Sequence, residues 1–278
     1  MKKIGFVDFY ISEWHANNYP AWIAEVNETL GEDFVVSYAW AEQDVSPYDG
    51  RTTDEWCAAF GVERCATIAE LCEKADYILL LSPSNPEKHL GYAKEVLKCG
   101  KRTYIDKTFA PDQAIAKEIF ALGKEGNTPF FSSSALRFCN EYAQIVDPTT
   151  VSIRGGGFTM EEYIIHQTEM LVRVMPAAAV SARVEQLGDN HYLSTVLFEG
   201  GRSATMEFRE DYDFAIAADG RPVEMKTRVF IGLLTAVLRF FLTGELPFDP
   251  EETLEVMRIR DAVLAGKERL GEVIGVVR

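Results

Sequence analysis

At 278 residues the chain is long enough to bury the core of one large domain or two ordinary ones. Apolar residues at 47% and charged residues at 26% are ordinary for a globular protein, and no run of 18 apolar residues is present to span a membrane. The formal net charge of −15 is dispersed along the chain, which disfavours nucleic acid or an anionic membrane surface as partner, since both require clustered Lys and Arg.

In chain order, Lys3 to Val7 is a compact apolar run of the kind that forms a buried parallel strand. Pro20 is placed to open a helix whose apolar residues Ile23, Val26 and Leu30 recur at helical spacing, with Gly31 as its stop. Phe34 to Ala39 reads as the second strand, Ile68 to Lys74 as a helix, and Tyr77 to Leu81 as the third strand. A helix over Glu87 to Lys98, a strand over Arg102 to Ile105, a helix over Asp112 to Gly123 and a strand over Thr128 to Ser132 complete the alternation. Strands alternating with helices of about a dozen residues imply right-handed crossovers and a doubly wound parallel sheet.

The second half changes character. After a helix over Met160 to Val174, period-two alternation marks strands at Val180 to Glu185, His191 to Phe198 and Ser203 to Phe208, with Glu199-Gly200-Gly201 as a hairpin turn. Phe214 to Ala217 and Val223 to Arg228 are weaker strand candidates, and two helices, Val229 to Thr243 and Glu251 to Gly266, close the chain. The fold class expected is therefore α/β, with a Rossmann-type parallel domain over 1–132. An α+β domain over 133–278 follows, built on an open, mainly antiparallel sheet.

Five cysteines, with no C-x-x-C pair, point to reduced thiols rather than a disulfide framework or a zinc site. Four histidines give no metal cluster. With Asp8 and Glu13 interrupting its apolar start, the chain is expected to lack a secretory leader and to be cytoplasmic.

Ligands of open parallel sheets bind at the carboxyl ends of the strands. The residues there are Phe9, Tyr10 and Ile11 after the first strand, Glu42 after the second, Ser82, Pro83, Asn85 and His89 after the third, and Asp106 with Lys107 after the fourth. A lysine at a strand end is open to the partial desolvation that lowers its pKa for acid–base work, though a surface lysine balanced by Asp106 is the plainer reading. His166 lies four residues beyond Glu162 on one helix face, where a carboxylate fixes the tautomer of an imidazole; an exposed polar face is the plainer alternative.

Several segments, in order along the chain, resemble the glucose-fructose oxidoreductase, inositol dehydrogenase and rhizopine-catabolism family. Thr103-Tyr104-Ile105-Asp106-Lys107-Thr108 resembles its strand ending in Glu-Lys-Pro, and Ser82-Pro83-Ser84-Asn85 with His89 resembles its Thr-Pro-Asn-x-x-His turn. Leu136-Arg137-Phe138, Gly155-Gly156-Gly157 followed by Glu162, His166 and Glu169, the hairpin at Leu197 to Gly201, and Phe240 to Gly244 continue the match. The resemblance implies a catalytic Lys107 and His166, with Glu162 orienting the histidine or holding a substrate hydroxyl. It also implies substrate contacts from Arg137 and Glu169, NAD or NADP as cofactor, and a sugar, polyol or related hydroxylated metabolite as substrate. Glu42 and Asp44 favour NAD, because carboxylates repel a 2′-phosphate.

One departure stands out. Family members carry G-x-G-x-x-G after the first strand, whereas this turn reads Asp8-Phe9-Tyr10-Ile11-Ser12-Glu13-Trp14. Two readings follow: an NAD(P)-dependent oxidoreductase with a rebuilt cofactor turn, or a fold relative that has lost dinucleotide binding and binds a small metabolite as a sensor, regulator or redox-independent enzyme. An apolar sheet face around His191 to Phe208 further predicts a homo-oligomer, most simply a dimer, through the second domain.

Overall fold

The computed structural model describes residues 1–278, in two compact units. The first comprises Met1–Ser133 and Leu233–Phe248, the second Ser134–Gly232 and Asp249–Arg278. The chain therefore does not divide at one point near 132, as a linear reading of the sequence has it. A helical segment from the second half completes the first unit.

The first unit runs β1 (Lys2–Asp8), α1 (Trp14–Leu30), β2 (Phe34–Ala41), α2 (Thr53–Phe60), β3 (Glu63–Arg64), α3 (Ile68–Lys74), β4 (Tyr77–Leu80), α4 (Pro86–Val96), β5 (Thr103–Ile105), α5 (Gln113–Glu125) and β6 (Phe130–Ser132). All strand pairs are parallel and the order is β3-β2-β1-β4-β5-β6. Strand order reverses between β1 and β4, and that switch point is where such sheets open a crevice for ligands. Ile4, Phe6, Val7, Ile78, Leu79 and Leu80 are buried on the two inner strands, as expected of a sheet covered on both faces.

Helix α1 begins at Trp14, not near Pro20, which lies inside it. The Glu13 side chain accepts the N–H groups of His15 and Ala16, so the helix is capped a turn and a half earlier than the proline signals. Helix α2 and the two-residue strand β3 fall in a stretch with no periodic signal. Thr52 and Glu55 start α2 with a reciprocal capping box.

The second unit contains β7 (Thr150–Gly155), α6 (Met160–Val174), β8 (Ala179–Gly188), β9 (His191–Phe198), β10 (Ser203–Arg209), β11 (Ala215–Ala218), β12 (Arg221–Val223), the first turn of α7 (Val229–Thr243), α8 (Pro250–Lys267) and β13 (Val273–Gly275). Its seven strands are ordered β12-β11-β7-β10-β9-β8-β13, and every pair but β7 with β10 is antiparallel. The last weak strand candidate, Val223 to Arg228, is misplaced: β12 covers Arg221–Val223, sharing only Val223 with it, and the chain leaves the sheet there.

Val196, Phe198, Met206 and Phe208 join Ile164, Met170, Ile259 and Val263 of α6 and α8 in one core. The opposite face carries Leu193 and Leu197 among Thr195, Ser203, Thr205 and Glu207. It is more polar than the expected apolar surface, because the large apolar members of the alternation point to the helices. No helix of the chain is long and apolar enough to cross a membrane.

Candidate functional site

At the carboxyl ends of the first sheet the side chains are knitted together. Asp8 closes β1, is buried, and its Oδ1 accepts the backbone N–H groups of Phe9 at 2.7 Å and Ser82 at 3.0 Å. Burial and the neighbouring Glu13 push its pKa well above the usual carboxylate range. Glu13, also buried, accepts the N–H of His15 at 2.7 Å and that of Ala16. Burial raises its pKa as well.

His15 Nδ1 lies 2.8 Å from Asp106 Oδ2. Asp106 Oδ1 accepts from the Tyr104 hydroxyl and the Lys107 N–H, each at 2.9 Å. Burial works to raise the pKa of Asp106, but His15, Lys107 and Tyr104 outweigh it and hold the carboxyl at about 2. Lys107 is half-buried and its Nζ donates to the Pro83 carbonyl at 3.3 Å. The Lys107–Thr108 peptide bond is cis.

The remaining strand-end residues are held by the protein itself. Ile11 is part of the buried core. Glu42, expected near a ribose, accepts from Lys88 Nζ at 2.6 Å and the Tyr92 hydroxyl at 2.7 Å, and these bonds lower its pKa. The Lys88 ammonium also sits 4.6 Å from the centre of the Phe9 ring, with Tyr10 edge-on to that ring at 5.7 Å. His89 is wholly buried and bridges the carbonyl oxygens of Phe109 and Leu81, a structural duty in place of the ligand contact its position suggests. Asn85 caps α4 by position without a side-chain bond to its backbone and donates to Glu87 instead.

The arrangement bears directly on a dinucleotide. Pyrophosphate binding on this fold uses free N–H groups at the start of α1 and glycines that let the backbone approach. Asp8, Tyr10 and Glu13 occupy the spacing of the three glycines, and the first helical N–H groups are already bonded to the Glu13 carboxylate. These residues do not fit a pyrophosphate on this turn.

The second unit brings together Ser134, Arg137, His166 and Glu169. Ser134 caps a short 3-10 turn over Ala135–Phe138, and its Oγ lies 2.7 Å from His166 Nδ1. His166 is half-buried on α6, with the rings of Tyr163 and Phe214 each 5.5 Å away. Gly156 and Gly157 shape this corner: a Cβ on the first would overlap the Arg209 carbonyl, and the second has φ of 149° against the Tyr163 ring.

Arg137 and Glu169, expected to hold substrate, are 2% and 3% exposed and hold each other, Nη1 to Oε2 at 2.9 Å. The other Arg137 nitrogen pairs with Glu252 of α8, and Glu169 Oε1 accepts the Ser134 N–H at 3.2 Å. Burial raises the pKa of Glu169 despite the guanidinium. Glu162 is half-buried in the first turn of α6, where its N–H donates to Thr159.

Two functional candidates escaped the sequence reading. Ser134 ends a Ser132-Ser133-Ser134 run just before a turn, which is an N-cap signal, and His15 stands two residues beyond a carboxylate at a helix start.

No protein-family model matches the sequence, and no curated protein matches it. Solved structures match in fold. Apo scyllo-inositol dehydrogenase from Lactobacillus casei superposes with a TM-score of 0.76 at 14% identity, over 99% of this chain and 98% of that one. UDP-N-acetylglucosamine 3-dehydrogenase GnnA from Acidithiobacillus ferrooxidans gives 0.73 at 12% identity, over 95% and 97%. GenD2 from gentamicin A biosynthesis, in complex with NAD, gives 0.76 at 10% identity, over 100% and 97%. Identities this low speak for the fold alone: the chain shares the fold of these dehydrogenases over nearly its whole length.

Proposed function

We propose that this chain binds a small hydroxylated metabolite of the sugar or polyol class and works without a dinucleotide seated on the β1–α1 turn. The observation that carries the reading is the Glu13 carboxylate bonded to the N–H groups of His15 and Ala16, where a phosphate would have to bind. Lys107 in the first unit and His166 in the second are each proposed as proton-handling groups. Lysine at a strand end and imidazole beside a hydroxyl are the side chains such work requires. The substrate class rests on the fold, since the relatives with named substrates act on polyhydroxylated rings.

A second reading is an NAD(P)-dependent oxidoreductase in which Lys107, His166 and Glu162 serve as acid–base residues and Arg137 and Glu169 support the substrate site. The NAD complex of GenD2 favours it. Calorimetric titration separates the two. Under the first reading neither NADH nor NADPH gives saturable heat up to about 1 mM, a level equivalent to less than about 4 kcal/mol of binding free energy. Saturation at micromolar cofactor, with folding verified by circular dichroism, discards the first reading in favour of the second.

A homodimer through the open face of the second sheet is the association proposed, with Leu193 and Leu197 as its apolar contacts. Light scattering at micromolar protein is expected to give the mass of two chains. The mass of one chain removes the proposal.

A further inference from the structure

We propose that Ser134 is a positioning residue that holds His166 in the Nδ1–H tautomer and leaves Nε2 as the atom that takes and releases a proton. This rests on reading His166 as a proton-handling group, and it concerns the second unit alone.

The serine is fixed from three sides. It is fully buried, its N–H is bonded to Glu169 Oε1 at 3.2 Å, and its Oγ accepts the Leu136 N–H at 3.2 Å. Glu169 is fixed in turn by Arg137, so the hydroxyl position is set by a buried ion pair rather than by a mobile loop. A hydroxyl oxygen has two lone pairs, and Leu136 uses one. Oγ lies 2.7 Å from His166 Nδ1, a distance at which either atom serves as donor, and under the proposal the ring N–H donates to the second lone pair.

Neutral imidazole with its proton on Nδ1 carries a lone pair on Nε2, which is the base; protonated on Nε2, the same ring is the acid. The Nδ1–H to Oγ bond persists through both states, so the ring keeps its orientation while Nε2 gains or loses its proton. A carboxylate at this place, the partner expected from Glu162, favours the charged ring and opposes release of that proton. A neutral hydroxyl has no such bias. Ser134 thus supplies the orienting role usually given to a carboxylate without trapping the imidazolium.

The test uses the full-length protein, ¹⁵N-labelled and without added ligand, so it stands whether or not a dinucleotide binds. Long-range ¹H–¹⁵N correlation spectra report the tautomer of each histidine, and loss of one set of signals in His166→Asn assigns the ring. Above neutral pH, wild-type His166 is expected to show a protonated Nδ1 and a bare Nε2. Ser134→Ala is expected to interchange the two nitrogen signals, and Ser134→Thr, which keeps the hydroxyl, to restore them. A proton on Nε2 in the neutral wild-type ring overturns the proposal even if no variant folds. So does an unchanged tautomer in a folded Ser134→Ala protein.

Discussion

Replacing Arg137 with methionine is expected to destabilise the protein by about 3–5 kcal/mol near neutral pH, the cost of breaking a buried ion pair from one side. Arg137 lies between Glu169, which is fully buried, and Glu252, and its removal leaves the Glu169 carboxylate in the core without its cation. The pH dependence has a definite sign. Burial already holds the pKa of Glu169 above 4.5, so the folded state favours the neutral acid, and stability is lost as pH rises through the folded value. Without the guanidinium that value climbs further. The loss in Arg137→Met is therefore expected to be larger at pH 8 than at pH 5, as read from urea midpoints at each pH.

Replacing both partners should behave differently. In Arg137→Met with Glu169→Leu no buried charge remains at the pair, and much of the lost stability is expected to return. If the single variant unfolds at the wild-type midpoint, the ion pair is not what anchors Ser134.

The second large effect concerns Asp106. Its carboxyl is held at about 2 against an ordinary 3.8, a difference worth about 2 kcal/mol of stability. The folded value is depressed, so this contribution is present above pH 3.8 and lost as pH falls toward 2. Asp106→Asn keeps the shape but removes the charge that faces His15 and accepts from Tyr104 and Lys107. The variant is expected to trail the wild type by that amount from pH 7 down to about pH 4, and the gap to narrow below it. A gap that stays constant through the acid range would show that the neighbours of Asp106 do not hold its carboxyl below the ordinary value.

Much of the fold was legible because burial leaves a mark in composition. The apolar runs of β1, β2 and β4 and the alternation in β9 and β10 declare themselves within a few residues. Strands β3 and β13 did not, since two or three residues at a sheet edge carry no period. Strand β7 alternates through Val151 and Ile153, but its signal is short and runs straight into Gly155-Gly156-Gly157.

The candidate site was legible by position and not by partnership. Lys107, His166 and Asp106 were found from where strands and helices end, whereas their contacts are made over long separations. His166 has Ser134 as a partner, 32 residues away, which the four-residue spacing to Glu162 does not announce. The sequence places Glu13 in the turn where family members carry glycines. That it caps α1 itself is a matter of side-chain geometry that spacing does not disclose.

The discontinuous make-up of the first unit has a consequence during synthesis. Its α/β layer is translated by Ser133, yet Phe131 of β6 packs on Phe240 and Phe248, Tyr77 stacks on Phe241, and Arg102 donates to the carbonyls of Phe241 and Leu242. A nascent chain emerging from the ribosome must carry these aromatic surfaces uncovered until about a hundred further residues have been made. A gene fragment ending near residue 132 would leave them uncovered for good. For the same reason, a stop codon or protease cut after Gly232 would damage the amino-terminal unit although every one of its six strands is intact.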